Sequence, residues 1–579
     1  MESWNQEYLR WLRSPALDGD SRQELGAIEG DGEKIKEWFY APLEFGTAGL
    51  RGIMRPGING MNVYTVRQAT QGLASELLAS GEGAAARGVV IAFDSRHNSL
   101  KFAREAARVL RANGIKVYIF DDIRPTPELS YAVRKLGCAA GINVTASHNP
   151  KEYNGYKVYG GDGAQLSPEL ADAVSARIAE VDVLSGALTC DYDEAVGGGG
   201  IVIVGQELDR AYLAEVRAQS ARPEALRGAP GFKIVYTPLH GAGYKLVPEI
   251  LKLSGLPELL IVREQGSPDG DFPTVKHPNP EYAEAFVLGK ELAEKHGASL
   301  VIATDPDCDR VGVSAKGADG EYKTITGNQM GAILLDYIIE ARREAGKLPA
   351  NACAVKTIVT TNLIDKICAA NGVGLVSVLT GFKFIGEKIK EFEESGSRTY
   401  IFGFEESYGY LAGTYARDKD AVVASMLIAE MAAYYRARRG IGLSEALEGL
   451  YKKYGYYAES TANIYMEGPD GAERIASLTR ALRAAPPAAF GGAAVTRARD
   501  YLAGRVTRPG SAEVEPTGLP KSDVLYYELA DGCDVIVRPS GTEPKIKIYV
   551  LARGSSAEGA ARRCAELAEA AKAETLRGG

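Results

Sequence analysis

Three aspartates stand at alternate positions in Thr304-Asp305-Pro306-Asp307-Cys308-Asp309-Arg310, directly after the apolar run Leu300 to Ala303. Spacing of i, i+2 and i+4 turns three carboxylates one way only where the backbone is extended or looped, and Pro306 opposes a helix interior. Hard oxygen donors on a loop at the carboxyl end of a strand suit Mg²⁺, which keeps open positions for water or a phosphoryl oxygen. A calcium loop of the EF-hand type needs Gly at its sixth position and Glu at its twelfth, where this chain has Arg310 and Lys316. The competing reading is an acidic solvated turn, against which stands Arg310, set hard against three acids after a buried strand.

A second apolar run, Gly141 to Val144, enters Thr145-Ala146-Ser147-His148-Asn149-Pro150 and offers Ser147 as a nucleophile. The Gly-x-Ser-x-Gly frame of a hydrolase elbow is missing, and a helix cap or Asx-type turn would use the same residues. Near the C-terminus, Val537-Arg538-Pro539-Ser540-Gly541-Thr542-Glu543-Pro544-Lys545 joins a guanidinium fork, two hydroxyls and a glycine N–H. That set can cradle a phosphate-like oxyanion; an ordinary turn is the alternative. Phe402 to Tyr410 places Glu405, Glu406 and Ser407 in a glycine-bounded loop able to accept hydrogen bonds from sugar hydroxyls. Gly381 and Gly386 have P-loop spacing, but Glu387-Lys388 replaces the required Lys-Ser/Thr, which excludes an NTPase loop.

These segments hang on an alternation of short β-branched runs with longer amphipathic stretches. Val89 to Phe93, Lys116 to Phe120, Lys233 to Tyr236 and Leu300 to Ala303 read as strands, and Ser99 to Asn113 as a helix. Phe93-Asp94-Ser95-Arg96-His97, Tyr236-Thr237-Pro238-Leu239-His240 and Ile358-Val359-Thr360-Thr361-Asn362 end alike in a polar loop, a weak internal repeat that generic βα-loop chemistry would also produce. Gly197 to Gly200 reads as a linker, composition changes again after Gly320 and near Gly440, and the C-terminal part pairs strand patterns at 534–537 and 546–551 with a helix at 556–572. Four units follow, at 1–205, 206–322, 323–440 and 441–579, matching the domain prior for 579 residues.

A net charge of −8 disfavours non-specific nucleic-acid or anionic-membrane binding, so any phosphate must be held locally. Seven cysteines without a CxxC pair suit a reducing compartment, the cytoplasm by default. The N-terminal residues show no export pattern, and Ala421 to Tyr435, interrupted by Ser425 and Glu430, reads as a buried helix rather than a membrane span.

Taken together the motifs resemble the α-D-phosphohexomutase superfamily, of the phosphoglucomutase/phosphomannomutase type. The match is carried by 145–150 as a phosphoserine loop, 305–310 as a metal loop, 403–409 as a sugar loop and 538–544 as a phosphate loop, with Phe45 to Gly52 as the family's opening segment. The resemblance implies a four-domain, heart-shaped enzyme: three related α/β domains with mixed sheets and a C-terminal TATA-binding-protein-like domain. It implies a phosphorylated Ser147, Mg²⁺ held by Ser147, Asp305, Asp307 and Asp309, and Arg310, Arg51, Lys157 and Lys383 balancing the negative charge. Lys383 takes the general acid/base role with His148 as second candidate, while His240 is read as structural. Glu405 and Ser407 meet the sugar, and Arg538, Ser540, Gly541 and Thr542 grip the non-reacting phosphate.

The implied activity interconverts glucose 1-phosphate and glucose 6-phosphate through glucose 1,6-bisphosphate. The partners implied are small sugar phosphates, with no nucleic acid or membrane, on a monomer or small homo-oligomer. Within the superfamily, Phe272-Pro273-Thr274-Val275 and the opening segment look like a subgroup containing phosphopentomutases and a glucose 1,6-bisphosphate synthase. Phosphomannomutase activity and a non-catalytic sugar-phosphate sensor complete the alternatives.

Overall fold

The computed structural model describes residues 2–577 apart from Ala48, Glu82, 467–469 and 541–544. The chain forms two compact units, one of residues 1–325, 386–391 and 408–442, the other of residues 326–385, 392–407 and 443–579.

The first unit holds two mixed sheets. One contains β1 (Leu50–Ile53), β2 (Val89–Phe93), β3 (Val117–Phe120), β4 (Ala140–Val144), β5 (Tyr153–Gly160) and β6 (Ile201–Val204) in the order β1-β5-β4-β2-β3-β6. The other contains β7 (Lys233–Thr237), β8 (Glu258–Ile261), β9 (Leu300–Thr304), β10 (Val311–Lys316) and β11 (Tyr322–Ile325) in the order β11-β10-β9-β7-β8. Every residue of β2, β4 and β9 is buried, as expected of continuous apolar runs in parallel strands covered on both faces.

The internal repeat is visible in the pairing. β2 lies between β3 and β4 and is parallel to both, and β7 lies in the same way between β8 and β9. In the second unit β12 (Ala352–Thr357) is parallel to β13 (Gly374–Val378) and β14 (Thr399–Glu405). Of the repeat's third strands, β4 and β9 run into the loops bearing Ser147 and the aspartate cluster, and β14 ends on Glu405. β4 and β9 return through antiparallel strands β5 and β10. One boundary differs from expectation: β12 ends at Thr357, and Ile358 and Val359 belong to the following turn, their side chains packing into a core with Tyr526, Ile536 and Tyr549.

The C-terminal part of the second unit is an antiparallel sheet in which strands 456–465, 545–554, 534–539, 525–529 and 493–500 lie in that order, with helices Gly471–Ala484 and Ala557–Arg577. The helix Ala421–Tyr434 is buried at every position but its last, so its apolar character reflects a protein core. No helix among the described residues is long and apolar enough to cross a membrane.

Candidate active site

Ser147 lies three residues beyond β4 with its backbone at φ 52°, a left-handed conformation that costs a non-glycine residue free energy and is kept only where surroundings enforce it. Its N–H donates to Thr145 Oγ1 at 2.8 Å. Its hydroxyl donates to Asp305 Oδ2 at 2.9 Å, and His148 Nδ1 lies 3.3 Å from the serine Oγ. The sequence-predicted nucleophile and metal loop therefore meet within the first unit.

The aspartate loop is buried and tightly turned. Asp305 and Asp307 are fully buried and Asp309 nearly so, and Cys308 holds φ 53°. Asp305 Oδ1 accepts the backbone N–H groups of Asp309 and Arg310 at 3.1 and 3.0 Å, folding the loop around that carboxylate. Gly241 packs against the loop so closely that a Cβ there would lie 2.5 Å from the backbone of Pro306, which explains glycine at that position. Carboxylate oxygens of all three aspartates lie within 4.8 Å of one another.

Two lysines enter this cluster. Lys157 stands on β5 opposite Asn143 of β4, and its ammonium donates to Asp307 Oδ2 at 2.9 Å. Lys419 lies 3.0 Å from Asp309 Oδ2 and 3.1 Å from Asp418 Oδ1; Asp418 Oδ2 in turn accepts from the Tyr159 hydroxyl and Gln165 amide. Burial and the neighbouring carboxylates push Asp305 well above the usual aspartate range and raise Asp309 as well. Burial alone would raise Asp307 too, but Lys157 outweighs it and holds that carboxyl low.

Lys419 is shared with Asp418 and Arg310 with Glu281, so the three buried aspartates are left short of positive charge and favour uptake of a proton or a cation. Asp307 Oδ1 and Asp309 Oδ1 are buried without a hydrogen-bond partner. Orphaned carboxylate oxygens beside a third carboxylate are the donor set a hard divalent ion uses, so the residues fit Mg²⁺.

The other expected cations are placed differently. Arg310 pairs with Glu281 at 2.9 Å and lies 3.7 Å from Asp309, while Arg51 on β1 donates to Asn149 Oδ1 at 3.0 Å in the Ser147 loop. His148 keeps part of its surface exposed, yet enclosure of its ring, with Arg310 and Arg51 nearby, pushes its pKa well below the usual histidine value. His240 is buried between Ser267 O and Thr274 Oγ1, a structural role.

The remaining candidates belong to the second unit. Lys383 lies in the first turn of helix Phe382–Ser395 with its ammonium over the Phe384 ring. The N–H of Gly381, which precedes that helix, donates to buried Glu405 Oε1 at 2.9 Å and so ties the lysine's turn to the end of β14. Ser407 is partly exposed in the turn that follows. Arg538 hydrogen-bonds Tyr549, whose hydroxyl also feels Glu406 and Glu405. Ser540 N–H donates to Lys545 O, and Gly541 and Thr542 lie outside the described residues.

Lys419 and Arg96 did not stand out from sequence. Lys419 sits in Arg417-Asp418-Lys419-Asp420, an alternating charge run before an apolar helix, which was the available signal. Arg96 lies in a segment notable only as a strand end, and its hydrogen bonds run to residues about 50 positions away.

Family profiles of phosphoglucomutase/phosphomannomutase α/β/α domains I, II and III match residues 42–184, 210–318 and 326–454, and the C-terminal domain profile matches 495–570. The chain belongs to the phosphoglucomutase/phosphomannomutase family. As a member it is an enzyme of the isomerase class that moves phosphoryl groups, built of three α/β/α domains and a C-terminal domain. It is 36% identical to a phosphoglucomutase of Staphylococcus saprophyticus over 517 residues, 89% of this chain and 92% of that one. It is 35% identical over 574 residues to a "probable phosphoribomutase" of Schizosaccharomyces pombe, covering 96% and 95% of the two chains. Among solved structures, a Burkholderia thailandensis member of the phosphoglucomutase/phosphomannomutase family matches with TM-score 0.65 at 21% identity over 92% of this chain and 97% of that one, a likeness of fold.

Proposed function

We propose that this family member is a phosphoglucomutase that interconverts glucose 1-phosphate and glucose 6-phosphate through a phosphate carried on Ser147 and a glucose 1,6-bisphosphate intermediate. The observation that carries the reading is the Ser147 hydroxyl donating into the buried aspartate cluster. A nucleophile seated on metal-type carboxylates equips a site to move a phosphoryl group, because that reaction depends on in-line positioning and on neutralising the transferring oxygens. The phosphoglucomutase names among relatives at 36% identity support glucose as substrate.

In this reading Asp305, Asp307 and Asp309 hold Mg²⁺ with the serine oxygen, and the ion when bound supplies positive charge to the phosphoryl oxygens. Lys157 keeps Asp307 ionised, and Lys419 offsets part of the burial and repulsion that raise Asp309. The sugar hydroxyl attacks the phosphorus on Ser147; one P–O bond forms, the P–O bond to serine breaks, the hydroxyl proton passes to a base, and the departing serine oxygen takes up a proton in its place. His148, kept neutral by its surroundings, is the imidazole beside the serine and one candidate base, while the family resemblance gives Lys383 that role. The bisphosphate then returns its other phosphate to Ser147, which restores the enzyme. Glu405 and Ser407 accept from sugar hydroxyls, and Arg538 with Ser540, Gly541 and Thr542 holds the resting phosphate.

A second reading, a phosphopentomutase, is favoured by the similarity that extends over 96% of the chain to the S. pombe relative. A coupled assay with Mg²⁺ and a trace of glucose 1,6-bisphosphate, comparing glucose, mannose and ribose 1-phosphates, separates the readings by kcat/KM. Preference for ribose 1-phosphate overturns the glucose assignment; no turnover of any substrate overturns the mutase.

A further inference from the structure

We infer that Arg96 is the positioning residue of the nucleophile loop, holding Ser147 in its strained conformation through the backbone while making no bond to the transferring phosphate; this rests on the mutase reading above. The guanidinium is buried, and its terminal nitrogens are spent on main-chain carbonyls. One donates to Pro150 O at 2.8 Å and Tyr153 O at 3.1 Å, and the other to the carbonyl oxygens of Ser147 and Asn149. The third, Nε, lies 3.3 Å from Asp94 Oδ2, an ion pair that fixes the fork's direction. Asp94 is itself held by the backbone N–H of Arg96 and the hydroxyl of Ser99.

One planar group thus pins four carbonyls of the 147–153 loop, which an ammonium with three donors cannot reproduce. With those donors engaged, Arg96 adds positive charge near Asp305 and Asp307 without coordinating substrate.

A second loop closes over the guanidinium. The ring of Phe272 stacks on it at 5.1 Å, in the Phe272-Pro273-Thr274-Val275 segment that the catalytic reading leaves unused. Phe272 is held at φ 46°, and the neighbouring Asp271 pairs with Lys151 at 3.1 Å and His97 at 3.3 Å, on either side of the clamp. His240, bonded to Thr274, backs this segment from below. The segment therefore acts as a brace on the arginine that aims Ser147.

The test uses the full chain with Mg²⁺ and glucose 1,6-bisphosphate, and measures kcat, KM, the folded fraction and phosphate incorporation at Ser147 for wild type, Arg96→Lys and Phe272→Leu. Misaiming the loop lowers kcat about 10- to 100-fold in Arg96→Lys, with KM within about threefold. Phe272→Leu keeps the hydrogen bonds but loses the stack, and it lowers kcat by a few-fold with KM unchanged; it carries the test if Arg96→Lys does not fold. Wild-type kcat per folded molecule in either variant overturns the inference, as does a loss seen only in KM. A wild-type chain that neither turns over nor takes up phosphate at Ser147 overturns the mutase reading and the inference with it.

Discussion

Asp534 opens the strand that leads to Arg538, and burial pushes its carboxyl up to about 6 despite hydrogen bonds from Tyr526 and Asn362. An acid whose folded value lies above its ordinary 3.8 binds its proton more tightly in the folded state. Stability therefore falls as pH rises from about 4 to about 6 and stays low above that. The gap, at about 1.4 kcal/mol per pH unit, bounds the cost at about 3 kcal/mol near neutrality. Asp534→Asn keeps an oxygen to accept both hydrogen bonds and removes the charge. It is expected to stabilise the second unit by about 1–3 kcal/mol at pH 7.5 and by almost nothing at pH 4, where the native acid is already neutral. The three tryptophans, Trp4, Trp11 and Trp38, all lie in the first unit, so urea unfolding followed by both tryptophan fluorescence and circular dichroism separates the two transitions. A variant that destabilises the second unit at pH 7.5, or whose effect does not change between the two pH values, refutes the reasoning.

The remaining predictions concern the aspartate loop. Lys157→Met leaves Asp307 buried without its cation; the first unit should lose about 3 kcal/mol by tryptophan-monitored unfolding, and turnover should fall at least about 100-fold. Gly243→Ala would put a Cβ 2.4 Å from the Tyr236 hydroxyl and 2.9 Å from Cys308 Sγ, so overpacking beneath the loop should cost about 1–3 kcal/mol, read in the same melt. Removing divalent ions with EDTA should abolish turnover and lower the melting temperature of the first unit, with Mg²⁺ restoring both; a melt indifferent to Mg²⁺ contradicts the metal assignment.

The parts legible in sequence are those fixed by short-range chemistry. The largely apolar β4 and β9 and the polar loops after them announce the repeat's chemistry-bearing ends, and alternate aspartates around Pro306 announce a metal loop. Hidden from sequence were contacts between distant segments. Arg310, adjacent to the acids, turns to Glu281, whereas Lys419, more than 100 residues away, supplies the second ammonium. Arg96 was invisible for the same reason, since its partners are carbonyl oxygens that carry no residue-type signal. The end of β12 was read late because Ile358 and Val359 are apolar for packing against the C-terminal sheet's core rather than for strand pairing.

The most direct test of the central claim is phosphopeptide mapping of the chain after incubation with glucose 1,6-bisphosphate and Mg²⁺, alongside turnover of glucose 1-phosphate by wild type and Ser147→Ala. The account predicts one phosphate, on Ser147, discharged by added glucose 1-phosphate, and no turnover in the variant. Phosphate on another residue, or turnover that survives Ser147→Ala, would contradict it.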